Sequence, residues 1–172
     1  SFTYPGQKLP ALSQLNVHIR AGERIVLAGN NGAGKSTFCM LLLGLYQPTE
    51  GRILIDGTDL KQLDPAAWRK RAATVFQNFM RYQLSAQDNI AFGNVQERLN
   101  VDKVKQAAKR SGIHPVIEQL PEQYQTLLGK HYEGSFDLSG GEWQRTAISR
   151  AYFRDAQLLI LDEPASALDA HS

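Results

Sequence analysis

The sequence predicts an α/β protein in which a block of helices interrupts a core built on parallel strands. Short apolar runs at residues 24–28, 73–76 and 157–161 have the length and composition of buried strands. From residue 78 the pattern changes, and apolar residues recur at helical spacing until about residue 155. The helical block therefore lies between two parts of one α/β core.

Local patterns predict the remaining elements in chain order. Residues 15–20 alternate apolar and polar side chains, which is typical of a half-buried strand, and Pro5-Gly6 ends a strand at the start of the chain. Strands are predicted at 1–4, 15–20, 24–28, 51–57, 73–76 and 157–161. Helices are predicted at 35–44, 65–71, 85–91, 101–111, 113–119 and 139–154.

Composition indicates a soluble globular domain. The chain has 172 residues, of which 42% are hydrophobic and 21% charged. The formal net charge of +2 is too small to indicate nucleic acid or an anionic membrane as a partner. Cys39 is the single cysteine, so no internal disulfide is possible, and a reducing compartment is expected. No run approaches the ~18 apolar residues that span a bilayer.

A glycine-rich turn organises the first half of the chain. The spacing Gly29…Gly34-Lys35-Ser36 follows an apolar run and leads into a predicted helix, which is the context of a phosphate-binding loop. Glycines allow the loop to wrap tightly, and the helix N-terminus adds partial positive charge. Lys35 can reach phosphate oxygens, and the Ser36 hydroxyl can ligate Mg²⁺. The alternative is an ordinary strand-to-helix turn.

Two acids end the last predicted strand. Asp162 would hold Mg²⁺ through water, and Glu163 would accept a proton from the attacking water or orient it. Solvated acids that merely end a strand are the alternative for this pair, and the phosphate loop favours the functional interpretation.

The segment Leu138-Ser139-Gly140-Gly141-Glu142 begins the last predicted helix. Ser139 and Glu142 have the spacing of a capping box. The two glycines are poor helix formers, so local propensity does not explain them. A bare Ser-Gly-Gly at a helix start also suits an anion, and the two interpretations are compatible.

In their order along the chain, these motifs closely resemble the nucleotide-binding domain of an ATP-binding cassette (ABC) transporter. The resemblance covers nearly the whole chain and includes Gln77 and Ser166-Ala167-Leu168-Asp169. It implies a P-loop NTPase core with a parallel sheet, a small antiparallel β-subdomain and an inserted helical subdomain. On this basis we expect one incomplete domain, 1–172, truncated at its C-terminal end. Its α/β core would comprise about 1–76 and 156–172, and its helical subdomain about 77–155.

The resemblance also implies roles for individual residues. Tyr4 is similar to the aromatic that stacks on adenine, Gln77 to the glutamine that senses Mg²⁺ and faces the transmembrane domain, and Asp169 to the aspartate that communicates across the dimer. Catalysis is assigned to Glu163, Lys35 and Gln77. Metal binding is assigned to Ser36, Gln77 and Asp162. Nucleotide binding is assigned to Tyr4, Asn30, Asn31, Gly32, Ala33, Gly34, Lys35, Ser36, Thr37, Gln77, Ser139, Gly140 and Gly141.

In such a family, ATP and Mg²⁺ are bound between two cassettes arranged head to tail. We expect Ser139, Gly140 and Gly141 to bind the γ-phosphate of ATP held by a second cassette, identical or different. A transmembrane domain, expected upstream in the same chain, would place the cassette at the cytoplasmic face of the plasma membrane. No nucleic-acid partner is expected. The family's switch histidine is not matched in the sequence, so weak or no ATPase activity is expected from residues 1–172 alone.

Several segments resemble exporters of a bacterial type, among them residues 1–6, 51–57 and 122–138. The stretch 78–92, with four large apolar side chains beside Arg81, would contact the transmembrane domain or else pack within the helical block. Three other classes stay open at this point. They are a soluble ABC protein acting on ribosomes or DNA, a cassette that binds ATP without hydrolysing it, and a small-molecule kinase.

Overall fold

The protein was analysed as a computed structural model that describes residues 1–76, 78–130 and 134–162. The chain forms two compact units, Ser1–Lys70 and Arg71–Ser172. The predicted division into an α/β core and a helical subdomain stays a prediction. Within the described residues, no helix is long and apolar enough to cross a membrane.

The first unit contains two helices and a β-hairpin. Its elements are α1 (Lys35–Leu42), β1 (Leu54–Ile55), β2 (Thr58–Asp59), a 3₁₀ turn (Leu60–Gln62) and α2 (Pro65–Lys70). β1 and β2 pair antiparallel through a two-residue turn in which both Asp56 and Gly57 have positive φ, 48° and 81°. Asp-Gly suits such a turn, because aspartate and glycine tolerate the left-handed region. The strand predicted at 51–57 is confirmed only at Leu54–Ile55, which forms the first arm of a hairpin.

The indole of Trp68 anchors α2 against α1. Its side chain is buried, and its Nε1–H donates to the carbonyl of Leu42 at 2.8 Å, at the C-terminal end of α1. Asp64 caps α2 by accepting a hydrogen bond from the N–H of Ala67 at 2.7 Å. The predicted helices at 35–44 and 65–71 are thus confirmed, with their ends shortened slightly.

Three strands predicted in the first unit are wrong. Residues 1–4 form only an isolated antiparallel bridge between Phe2 and Leu12. Residues 15–20 and 24–28 form no strand, and Val26 is 89% exposed. Among the described residues, these two segments take part in one backbone hydrogen bond outside helices and strands, in which the N–H of Glu23 donates to the carbonyl of Arg20 at 3.1 Å. An apolar run can favour burial, but a strand also needs a neighbour that satisfies its backbone groups.

The second unit places a helical block between two paired parallel strands. Its strands are β3 (Ala72–Val75) and β4 (Leu158–Leu161). Its helices are α3 (Ala86–Ala91), α4 (Val101–Ser111), α5 (His114–Glu118) and α6 (Gly140–Arg154). β3 and β4 run parallel from Ala72 opposite Leu158 to Val75 opposite Leu161. The predicted strands at 73–76 and 157–161, and the four predicted helices between them, are confirmed.

Helix α6 is the central element of this unit. Trp143, Ala147 and Ala151 recur at a spacing of four and share a face, and they are 1%, 4% and 7% exposed. Ala147 and Ala151 pack against β3, while Trp143 and Phe153 belong to a core shared with α3, α4 and α5. Since α6 is covered on several sides, a shift of this helix has to move the elements packed on it.

Candidate functional site

The phosphate loop requires glycine at its junction with α1. Gly34, at the N-cap of α1, has φ 85°, in the left-handed region. A Cβ there would lie 2.7 Å from both the carbonyl oxygen of Ala11 and the Cδ2 of Leu12. Gly32 also has a positive φ, 82°. The spacing that predicts this loop therefore corresponds to backbone conformations and close approaches that other residues do not tolerate.

Lys35 folds back over the loop from the first position of α1. Its Nζ donates to the carbonyl oxygens of Gly29 at 2.7 Å and of Asn30 at 3.0 Å. These neutral acceptors hold an ammonium group at the start of a helix, where partial positive charge already accumulates. The loop therefore concentrates positive potential in one place, and a polyphosphate is the kind of ligand that this arrangement suits.

The next two hydroxyls have different surroundings. Ser36 is exposed, so its oxygen is accessible to a ligand or a metal ion. Thr37 is 7% exposed, and its Oγ1 lies 3.0 Å from the hydroxyl of Tyr4, so the two groups share a hydrogen bond. Tyr4, predicted to contact adenine, is thereby joined directly to the end of the phosphate loop.

The ring of Tyr4 belongs to a small aromatic cluster. Its centroid lies 4.8 Å from that of Phe2 and 5.4 Å from that of Tyr46, and both pairs meet edge to face. Tyr46, which follows α1, was not predicted as a site residue. A single tyrosine after a helix has no distinctive sequence pattern, so only the fold reveals that it supports Tyr4.

In the second unit, the start of α6 has the capping box that the sequence predicts. The hydroxyl of Ser139 accepts a hydrogen bond from the N–H of Glu142 at 3.4 Å, and Glu142 Oε2 accepts one from the N–H of Ser139 at 2.7 Å. In the described part of the chain, the N–H groups of Gly140 and Gly141 have no partner. A Cβ on Gly140 would meet nothing within 4 Å. Packing among residues 1–76, 78–130 and 134–162 thus gives no reason for that glycine, and an approaching anion would.

Asp137 fixes the segment that leads into α6. Its Oδ1 accepts a hydrogen bond from the indole N–H of Trp143 at 3.1 Å, and its Oδ2 lies 3.3 Å from the Nζ of Lys130. The hydrogen bond from Trp143, followed by the nearby charge of Lys130, lowers the pKa of Asp137 below its ordinary value. Asp137 is another residue that the sequence does not single out.

Asp162 lies at the carboxyl end of β4, as predicted. Its N–H donates to the carbonyl of Val75 at 2.9 Å, so it extends the ladder between β3 and β4 by one bond. The carboxyl ends of parallel strands meet at one edge of a sheet, which is where ligand-binding side chains collect in α/β proteins. Gln77 and Glu163, which follow these two strands, lie outside the described residues, as does Asp169.

The structure therefore groups the predicted site residues within each unit. The first unit joins Tyr4 to the loop 29–37, and the second contains Ser139, Gly140, Gly141 and Asp162. The stretch 78–92 was expected either to contact a transmembrane domain or to pack within the helical block, and its side chains differ in exposure. Phe79 packs against the buried core, whereas Met80 is 63% exposed.

Comparison with known proteins decides the family. The sequence profile described as ABC transporter matches residues 12–166. The chain belongs to the ABC transporter family. This confirms the identification made from the motifs, and it agrees with nucleotide binding by the phosphate loop.

Individual members of the ABC transporter family match over almost the whole chain. It is 42% identical to the subtilin transport ATP-binding protein SpaT of Bacillus subtilis, over 98% of the chain and 28% of that protein. It is 39% identical to the ATP-dependent lipid A-core flippase of Salmonella typhimurium, over 100% of the chain and 29% of the flippase. The chain thus spans less than a third of these relatives.

A solved structure supports the same fold. A bacterial Atm1-family ABC exporter with ATP bound matches 98% of the chain with a TM-score of 0.85 and 37% sequence identity, over 28% of the exporter chain. The expected ABC ATPase fold is therefore confirmed for this ABC transporter domain, with its mixed α/β architecture and parallel strands.

Proposed function

We propose that the chain is the nucleotide-binding domain of an ABC exporter, in which ATP hydrolysis powers export of a substrate across a membrane. The observation that carries this proposal is the phosphate loop, with its left-handed Gly34 and the Lys35 ammonium held over it. Family membership supports the same function, and the relatives named above include a transport ATP-binding protein, a flippase and an exporter.

In the proposed site, Lys35 exchanges its two carbonyl acceptors for the β- and γ-phosphate oxygens of ATP. The phosphate oxygens are the better partners, because their negative charge adds a Coulomb attraction to the ammonium that neutral carbonyls lack. Tyr4 stacks on adenine, and its hydroxyl stays bonded to Thr37. Asn30, Asn31, Gly32, Ala33 and Gly34 surround the phosphates.

The donor set fits Mg²⁺. This ion prefers one or two protein oxygens together with phosphate oxygens and water, and Ser36 and Asp162 offer a hydroxyl and a carboxylate. In the described part of the chain, no cluster of three metal-ligating His, Cys, Asp or Glu side chains competes with that set. When bound, Mg²⁺ neutralises charge on the phosphates. Gln77 is proposed to contact the ion and the attacking water, and Glu163 to accept the proton of that water.

The proposed partner is a second cassette, identical or different. The free N–H groups of Gly140 and Gly141, preceded by Ser139, suit the γ-phosphate of ATP bound on that partner. A transmembrane domain, fused upstream in the parent protein, would hold the pair at the cytoplasmic face of the plasma membrane. Residues near Met80, which is largely exposed, would face that domain. A net charge of +2 gives no support for a nucleic-acid partner.

The test compares Lys35→Met with Lys61→Met in the full-length parent protein. Lys61 is an exposed lysine of the same unit, and its hydrogen bond with the described residues is made by its backbone N–H to Asp59 Oδ1. Loss of hydrogen bonds to a charged group costs about 1.5–3 kcal/mol, so Lys35→Met should weaken Mg·ATP binding roughly 10- to 150-fold. Binding is measured by titration with a fluorescent ATP analogue, and turnover by phosphate release. Equal affinity in the two variants would refute the proposed role of the loop.

A further inference from the structure

Arg150 is the most deeply engaged charged residue that the proposed chemistry does not use. It lies on α6, and its guanidinium makes three hydrogen bonds, all to residues between 80 and 89. Nη1 donates to the carbonyl of Met80 at 2.6 Å, Nε donates to the carbonyl of Asn89 at 3.0 Å, and Nη2 donates to Asn89 Oδ1 at 2.7 Å. The guanidinium also lies over the ring of Tyr82, 4.7 Å from its centroid.

Asn89 completes the network from the other side. It is fully buried, and its Nδ2 lies 3.0 Å from the carbonyl of Tyr82 and 3.1 Å from the carbonyls of Leu84 and Ser85. The side chain therefore gathers the turn that precedes α3 and presents its own oxygen to Arg150. Because each member of the network has partners, the segment 80–89 is held as a unit against the middle of α6.

The charge of Arg150 is held by neutral acceptors and a ring, without an ion pair among the described residues. No carboxylate among the described residues pairs with Arg150. Burial lowers the pKa of Arg150 to about 10, so the group stays protonated at neutral pH while it bears a desolvation cost. Without the guanidinium, the carbonyls of Met80 and Asn89 and the Asn89 Oδ1 would lose its hydrogen bonds. A guanidinium suits this position, because its planar fork holds several acceptors in defined directions.

We propose that Arg150 is a positioning residue that locks the segment 78–92 to α6. A displacement at one end of this assembly then reaches the other. The segment 78–92 directly follows Gln77, while α6 begins at Gly140, ten residues before Arg150, or about 15 Å along the helix. Arg150 thus mechanically links the surface proposed to face the transmembrane domain with the Ser139–Gly141 group proposed to bind the partner's ATP. The inference rests on the proposed function.

The experiment uses hydrogen–deuterium exchange of the full-length parent protein, with and without Mg²⁺ and the non-hydrolysable analogue AMP-PNP. Peptides from 29–45 report binding at the phosphate loop, and peptides from 78–92 report the linked segment. The test variant is Arg150→Lys, which keeps the charge but loses the fork. The matched control is Arg110→Lys, because Arg110 also stacks on a ring, that of Tyr152 at 4.3 Å, and makes no side-chain hydrogen bond to the elements that the structure describes.

In the wild type and in Arg110→Lys, the nucleotide should change exchange in both sets of peptides. In Arg150→Lys the change at 29–45 should persist, and the change at 78–92 should be largely lost, because lysine cannot hold the three acceptors in place. The kcat for ATP should fall while the affinity of the phosphate loop stays unchanged. A merely structural role would weaken both together.

Other outcomes overturn the inference. A nucleotide-dependent change at 78–92 that survives in Arg150→Lys shows that the link does not depend on Arg150. A wild type that responds at 29–45 but not at 78–92 shows that there is no link, and the proposed function stands. A wild type that responds at neither set removes the proposed function and the inference together. If Arg150→Lys does not fold, Arg150→Gln decides by the same criteria, since its side-chain amide can still donate to an acceptor but lacks the planar fork.

Discussion

Gly93 is the position at which the smallest change should have the largest effect on folding. It follows α3, where the chain passes so close to α6 that a Cβ would collide with the carbonyl oxygen of Arg150 and lie 2.9 Å from its carbonyl carbon. The obstructing atoms are backbone atoms of a buried helix, so no side-chain rotation relieves the clash. Gly93→Ala should therefore push α3 away from α6.

The expected loss of stability follows from that geometry. Overpacking costs about 1–3 kcal/mol, and a backbone obstacle favours the upper value. Alanine also lowers the conformational entropy of the unfolded chain relative to glycine, and this offsets about 0.4–1 kcal/mol of the loss. A net loss of about 2 kcal/mol should lower the melting temperature of a unit of this size by roughly 8–16 °C.

The assay is thermal unfolding of the full-length parent protein, resolved by pulsed hydrogen exchange of peptides from α3, α4 and α6. Gly140→Ala is the matched control for stability, because a Cβ at Gly140 meets nothing within 4 Å. It should leave the melting temperature of this unit within a few degrees of the wild type. If Gly93→Ala and Gly140→Ala have the same melting temperature, then α3 does not approach α6 as closely as described.

Three further predictions concern single groups. Glu142→Gln keeps an acceptor for the Ser139 N–H but removes a negative charge beside the proposed γ-phosphate site. ATP should therefore bind more tightly, as measured by fluorescence titration, while the stability of the helix falls by about 0.3–1 kcal/mol. Weaker binding of ATP would contradict this prediction. Tyr4→Phe removes the bond to Thr37 but keeps the ring, so the Kd for ATP should rise roughly 2- to 10-fold. Tyr4→Ala should raise the Kd further, because the stacking on adenine is lost as well. Equal Kd values for Tyr4→Phe and Tyr4→Ala would show that the ring does not contact the base. Burial, followed by the charge of Glu118, raises the pKa of Tyr124 from 10.0 to about 12, so the folded state keeps a proton that the unfolded chain loses, and stability should fall between about pH 10 and 12. In urea titrations between pH 10 and 12, the free energy of unfolding should fall less for Tyr124→Phe than for the wild type. An equal fall in both proteins would show that Tyr124 is not the group responsible.

The sequence predicts local features of this protein well. The phosphate loop is recognised from the left-handed Gly34 and from Lys35, whose Nζ bonds carbonyls of the same loop, and the capping box at Ser139 is equally local. Helices in the second unit follow from spacing on one face, as at Trp143. Such signals are short in sequence and need no knowledge of distant partners.

Features that depend on distant partners were predicted less well. The apolar runs at 15–20 and 24–28 resemble strands because alternation and apolarity describe side chains, whereas a strand is defined by a paired backbone. Arg150 was missed because its acceptors lie 61 and 70 residues away in the sequence, and two of the three are backbone carbonyls. A backbone carbonyl has no residue identity, so no motif could indicate it. The close approach of Gly93 to the backbone of Arg150 was missed for the same reason.

The central claim is tested most directly by steady-state ATPase activity of the full-length parent protein beside its Glu163→Gln variant, with Glu50→Gln as a matched control. We predict that the wild type and Glu50→Gln hydrolyse ATP, and that Glu163→Gln still binds ATP but turns over roughly 10²- to 10⁴-fold more slowly, as expected for loss of a general base. A Glu163→Gln variant with most of its activity would place the base elsewhere. A wild type that binds ATP without hydrolysing it would contradict the proposed ATPase function.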